Sequence, residues 1–285
     1  MKKVSLFAVL SFFVCLASAS LAASPLPQEK VNKSYNLDAS ELYTVEIIVD
    51  AGEVRFHKSR SRDELEISLR FTRREFDYNI DFDESDHRLR LEFEKESWVD
   101  RDGRDLDAEI DIYLPENVQM DLYSKIKAGQ VEMDLGGLSL KRFELQTYAG
   151  EIDIDFDEPN QIEMRSLLLN TKVGETHLRR LGNARFRNAN IDNGIGALHV
   201  DFSGAIEDEA SVSIDLDIGE TDISIPDEVG ARVSVKKFLF LSDVSISRGF
   251  RKSGRYYIND SYNNARKNIE LSVAPGIGAL SIVSR

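Results

Sequence analysis

The sequence predicts an all-β fold, a β-solenoid-like stack of roughly 22-residue rungs. Glycines that follow Ala, Val or Ile recur at Gly129, Gly150, Gly174, Gly196 and Gly219, spaced 21, 24, 22 and 23 residues apart. A fixed period in this range marks a stacked repeat. The flanks of each glycine alternate apolar and polar with period two, which is the pattern of strands. Helix signals are nearly absent beyond the first two dozen residues.

Met1 to Ala23 reads as a secretory signal. Lys2 and Lys3 form the positive start, Val4 to Leu16 the apolar core, and Ala17, Ser18, Ala19, Ser20, Ala22 and Ala23 the small residues a signal peptidase requires. The alternative is an uncleaved anchor, for which the apolar run is short. Cys15 is the single cysteine, and Phe12, Phe13 and Val14 before it do not make a lipidation signal. The exported chain would therefore hold no cysteine, hence no disulfide, thiol nucleophile or metal thiolate. No later apolar run approaches a membrane span. Residues 24–41 read as a linker leading into one domain over 42–285.

Within that domain the first rung surrounds Gly52, with Val45, Ile47 and Val49 before it and Val54 and Phe56 after it. Residues 58–118 break the period. Runs such as Leu65–Phe71 and Arg88–Phe93, separated by polar turns, read as hairpins packed against the first rungs. The regular rungs follow. At two, four and six residues past the glycine stand Val131, Met133, Leu135; Ile152, Ile154, Phe156; Leu198, Val200, Phe202; and Thr221, Ile223, Ile225. The Gly174 rung is weaker, with Thr176, Leu178 and Arg180. At seven and five residues before the glycine stand Phe143 and Leu145, Leu167 and Leu169, Ala189 and Ile191, Val212 and Ile214. Each glycine is expected to form a tight turn joining two short strands. A second insertion occupies 230–269, and Leu271, Val273, Gly278, Leu280 and Ile282 close the series. Both insertions are placed to cover open sheet edges.

These repeats resemble a known family. Ala-Gly-Gln-Val-Glu-Met-Asp-Leu-Gly-Gly-Leu from Ala128, and the run from Gly194 to Gly204, are similar to the toastrack domain of bacterial adhesin-like proteins. They also resemble the related C-terminal domain of LiaF-type cell-wall-active-antibiotics-response proteins. Tyr256-Tyr257, Tyr262-Asn263, Ala265, Lys267, Ile269 and Gly276-Ile-Gly-Ala-Leu-Ser-Ile add to the likeness. The resemblance spans roughly residues 40–285. It implies an all-β fold without catalytic residues and, for the LiaF type, envelope-stress regulation through a membrane sensor kinase. Those regulators carry transmembrane helices ahead of the domain, whereas this chain begins with a secretion signal.

The chain holds 50 Asp and Glu against 36 Lys and Arg, a net charge of -14, which disfavours nucleic acid and anionic lipid as partners. Much of the acid stands on the outward positions after each glycine: Gln130, Glu132, Asp134; Glu151, Asp153, Asp155; Glu175, His177, Arg179; Ala197, His199, Asp201; Glu220, Asp222, Ser224. Stacked in register, His177 and His199 would be neighbours flanked by Asp153 and Asp222, a set able to hold a zinc-like ion. The alternative is a solvated polar face, or loose counter-ion or calcium association in place of a tight site. Asp100, Asp102, Gly103, Asp105 and Asp107 resemble part of a calcium loop but lack its twelve-residue frame. A hairpin loop rich in Asp and Gly explains them better, and Asp81, Asp83, Glu84 and Asp86 read as another solvated turn. No cofactor is implied.

Residues 231–269 invert the charge, with nine basic residues against Asp243 and Asp260. Phe238, Phe240, Phe250, Tyr256, Tyr257 and Tyr262 lie among them. Lys236, Lys237, Arg248, Arg251, Lys252, Arg255, Tyr256 and Tyr257 are the candidate binding residues for an anionic envelope glycan or an acidic protein. The alternative is a strand pair whose aromatics are core. There is no Gly-x-Ser-x-Gly, no His-Glu-x-x-His, no phosphate loop and no dinucleotide fingerprint, and His57 and His87 stand in no triad setting. The expected role is a non-enzymatic envelope interaction or regulatory module at the periplasm or cell surface. A self-stacking adhesive scaffold is the second reading, and a polysaccharide lyase, resting on fold analogy alone, the third.

Overall fold

The computed structural model describes residues 28–97, 108–207, 209–236 and 241–285. The residues read as a secretory signal, the acidic stretch Asp100–Asp107 and Lys237, Phe238 and Phe240 lie outside the described residues. Among the described residues there is no α-helix, only a 3-10 turn at Leu181–Ala184, and the chain is all-β. The first strands are β1 (Glu29–Asn36), β2 (Leu42–Ala51), β3 (Glu53–Lys58), β4 (Glu64–Phe71), β5 (Phe76–Asp83), β6 (Arg88–Lys95) and β7 (Glu109–Leu114). Five long strands follow: β8 (Gln119–Asp134), β9 (Ser139–Asp155), β10 (Met164–Arg179), β11 (Phe186–Asp201) and β12 (Glu209–Ile225). The last are β13 (Gly230–Val235), β14 (Ser242–Ile246), β15 (Phe250–Ser253), β16 (Tyr256–Asn259), β17 (Asn268–Ala274) and β18 (Ile277–Ser284). All eighteen belong to one sheet.

The five long strands run parallel and in register. Gly129, Gly150, Gly174, Gly196, Gly219 and Gly278 pair in one row. Val131, Ile152, Thr176, Leu198, Thr221 and Leu280 pair in another. At Gly129, Gly150, Gly174, Gly196 and Gly219 the expected tight turn between two strands is absent. A single strand of 16 or 17 residues continues through each of them. The physical reason lies in the burial pattern. In β8 Met120, Leu122, Ser124 and Ile126 are buried, then Val131 and Met133, so the in–out phase flips across Lys127–Gln130. The strand bends over the core at its glycine, and both halves face inward. The bend needs a backbone angle that glycine alone adopts freely, φ 150° at Gly150. The weak rung at Gly174 also resolves. β10 ends at Arg179, Arg180 turns outward with φ 50°, and Leu181 of the 3-10 turn takes the buried place.

Shorter strands finish both ends. On one side β2 and β3 flank Gly52 and pair with the two halves of β8. Beyond them β6 is parallel to β2 and β7 to β3, and β5, β4 and β1 add antiparallel. Thus Glu29–Asn36, within the stretch read as a linker, is a strand: Val31 and Tyr35 pack on the core while β4 satisfies its backbone. On the other side β17 and β18 pair with the two halves of β12. There β13 is parallel to β17 and β14 to β18, with β16 and β15 antiparallel outside β13.

One outward pair sets like charges side by side. Asp192 and Asp215 are register partners on β11 and β12. Burial, and then the neighbouring Asp215, raise the Asp192 carboxyl above its ordinary value. Ionised Asp192 therefore opposes folding, and that penalty fades as pH falls into the carboxylate range. Asp192→Asn is expected to stabilise at pH 7 by about 0.5 kcal/mol after solvent screening. A melting series from pH 7 to 3.5 checks this: the gain over wild type should vanish at the acid end.

Candidate functional site

The outward side of the second half-strands carries the histidines. Cross-strand pairing lines up Glu132, Asp153, His177, His199, Asp222 and Ser281 in one row. Period-two geometry places Glu175, two residues before His177, on the same side in the neighbouring row. The rings of His177 and His199 stack 4.8 Å apart with an interplanar angle of 11°. Nε2 of His177 lies 2.9 Å from Oε1 of Glu175, and Nε2 of His199 lies 3.6 Å from the same oxygen. Nδ1 of His199 is 3.1 Å from Oδ2 of Asp222. The cluster borders an open depression of about 340 Å³, lined also by Arg179, Ser281 and Arg285.

Of the four residues expected to share a metal, His177, His199 and Asp222 come together. Asp153 occupies the same row but its Oδ1 is engaged by the Arg179 guanidinium. Glu175 takes its place against both imidazoles. Its presence in the outward ladder was the available signal, because it shares a face with His177, but equal spacing alone could not rank it above Asp153.

The second candidate surface is the cationic end. Lys236, Arg248, Arg251, Lys252 and Arg255 are all exposed, and among the described residues none is ion-paired. By contrast Arg55, Arg90, Arg180 and Arg185 each hold a carboxylate. Arg255 sits 4.9 Å from the Tyr256 ring centre and donates to the Tyr256 hydroxyl at 2.5 Å. Arg232 stands 5.0 Å from the same ring, 5.8 Å from Tyr262, and pairs with Glu270. Tyr256 is therefore held by two guanidinium groups. Tyr257 is half-buried and packs against the core. Lys237 lies outside the described residues.

The acidic turn at Asp83 is a local structure. Its carboxylate accepts from the Ser85 hydroxyl and from the backbone N–H of Ser85 and Asp86, which lowers its pKa.

Residues 24–166 match the family model described as the N-terminal domain of toast_rack, DUF2154. Residues 172–282 match the model described as cell wall-active antibiotics response LiaF, C-terminal. No curated protein matches the chain. Among solved structures the chain is similar to a "putative cell adhesion protein" from Clostridium sporogenes ATCC 15579, at 15% identity and TM-score 0.45, over 90% of this chain and 100% of that one. It is also similar to a "putative adhesin" from Bacteroides fragilis NCTC 9343, at 10% identity and TM-score 0.42, over 90% of this chain and 97% of that one. Among the described residues no helix is long and apolar enough to cross a membrane.

Proposed function

Because the chain belongs to the toast-rack family, whose N-terminal model it matches over residues 24–166, we propose that it is a non-enzymatic, exported cell-envelope module that binds an anionic partner through its cationic end. The observation that carries this reading is the set of five exposed cations without ion pairs on a chain of net charge -14. Cations left unpaired beside so much acid are available to a partner, and their field favours an acidic protein surface or an anionic glycan. The LiaF-like match over residues 172–282 covers them, which supports a role in envelope-stress response with a membrane sensor among the candidate partners. The signal-like residues 1–23 support export to the periplasm or cell surface. The parallel glycine rows support reading the long strands as a β-solenoid.

Self-stacking draws less support. At the C-terminal end the edge strands are short, β14 with 5 residues and β15 with 4. Arg251 and Lys252 on β15, and Asp77 and Asp81 on β5, discourage pairing with a further copy.

The test is crosslinking in cells followed by affinity capture of wild type and of a variant carrying Lys236→Gln, Arg251→Gln, Lys252→Gln and Arg255→Gln. Wild type is expected to recover one envelope component, with yield falling at higher salt. The variant should lose about tenfold or more of that yield with its melting temperature nearly unchanged. Equal recovery by both would overturn the reading.

A further inference from the structure

We propose that Glu175, His177 and His199 form a binding site for a divalent transition-metal ion of the zinc class. Their ligating atoms, one per residue, all lie within 4.8 Å of one another. Two imidazole nitrogens and one carboxylate are the three-ligand set that zinc accepts, with the fourth position left to water. Calcium and magnesium, which demand several oxygen donors, fit this set poorly.

The backbone builds the cluster. His177 and His199 are direct register partners on parallel β10 and β11, so their side chains leave the sheet side by side. Glu175 is two residues before His177 and rises from the same face, its Oε1 facing both Nε2 atoms. Its carboxylate supplies the negative charge that a dication between two neutral imidazoles requires.

A second feature points to the same use. The carboxylate of Asp222 lies at Nδ1 of His199. A proton held on Nδ1 by that carboxylate leaves Nε2, the atom facing Glu175, as the free lone pair. A histidine oriented for metal by an outer carboxylate has this arrangement. Of the two arginines lining the depression, Arg179 and Arg285, the first is engaged by Asp153, so its charge is partly neutralised.

The rings stack nearly parallel, and an ion lying in the plane of both requires them to tilt toward each other. His177 and His199 are only partly buried and border the open depression, so rotation about their outer torsions meets little resistance and water-borne metal has a path in.

The experiment is calorimetric titration of the untagged protein with zinc chloride in a non-chelating buffer. Wild type is expected to bind one equivalent, and excess calcium should not displace it. The pair His177→Gln with His199→Gln should weaken that affinity by about 100-fold or more. Asp222→Asn, which removes only the positioning group, should weaken it by about 10–100-fold, and Asp222→Glu should restore part of the loss. Cobalt(II) gives a second readout: its visible absorption should show nitrogen-and-oxygen coordination that disappears in Glu175→Gln. All of these positions are on the surface, and an unchanged melting temperature in each apo variant separates loss of the site from loss of the fold. Absence of a saturable equivalent in wild type, or retention of full affinity in the double histidine variant, would overturn the proposal.

Discussion

Gly150→Ala is expected to destabilise the protein by about 4 kcal/mol or more, a fall in melting temperature on the order of 10 °C. A Cβ on Gly150 would sit 1.8 Å from the backbone oxygen of Gly129, its row neighbour. That oxygen belongs to the strand ladder and cannot rotate away. The same overlap repeats along the row, at 1.8 Å for Gly174 against Gly150 and 1.7 Å for Gly219 against Gly196. Relief requires prising two long strands apart, at the cost of their hydrogen bonds and of the buried Ile152 and Leu145 on either side of the bend. The angle of φ 150° adds a conformational penalty for any side chain. Gly254 separates the two contributions. It also has positive φ, 62°, but a Cβ there meets nothing within 4 Å, so Gly254→Ala should cost only about 1 kcal/mol. Glu151→Lys, on the exposed neighbouring residue, should fall within about 0.5 kcal/mol of wild type. Scanning calorimetry of the three variants checks the order. A Gly150→Ala loss no greater than that of Gly254→Ala would mean the row tolerates expansion.

The glycine row was legible because its cause is periodic. Each strand crosses the same bend, so the same residue type returns at the same interval, and the alternating residues on either side reveal strands. What the glycine does was harder to read. A positive φ serves a reversing turn and a bent continuous strand alike, and only the phase flip between Ile126 and Val131 distinguishes them. Even that flip is present in the sequence, since apolar residues five apart interrupt period two. The ends were less legible because pairing partners there are distant in sequence, as when β2 joins β8 and β17 joins β12. The candidate metal cluster was legible to the row and not to the side chain. Register placed His177 beside His199, but whether Asp153 or Glu175 turned toward them depended on Arg179, which a strand pattern cannot orient. At the cationic end, composition marked the region but could not separate Tyr257, which packs against the core, from Arg251 and Lys252, which lie exposed.

Asn160→Ala should be nearly as damaging as the glycine variant, at about 3 kcal/mol, for a reason no apolar pattern displays. Asn160 is fully buried in the connection after β9. Its Oδ1 accepts from the N–H of Leu140 at 2.9 Å, and its Nδ2 donates to the carbonyls of Leu140 at 2.8 Å and Ile162 at 2.7 Å. The carboxamide thus replaces a missing backbone partner. The device recurs. Asn183, 23 residues on, donates to Phe156 O and accepts from Ala205 N. Asn259 joins Ala231 N and Val229 O in the same way. Truncation to alanine removes all three bonds and leaves the N–H and C=O of Leu140, both at buried contacts, without this partner. Asn160→Asp distinguishes this account from simple loss of volume. The new carboxyl keeps an acceptor for Leu140 N–H but, once ionised, has no donor and carries a charge into a buried site. Burial raises the pKa of such a group, so its penalty is greatest at neutral pH and shrinks as falling pH protonates it and supplies one O–H donor. Denaturant unfolding at pH 7 and pH 4, each referred to wild type at the same pH, should show Asn160→Asp recovering toward wild type in acid while Asn160→Ala does not. Parallel behaviour of the two variants would mean that packing, rather than the three hydrogen bonds, is what the carboxamide contributes.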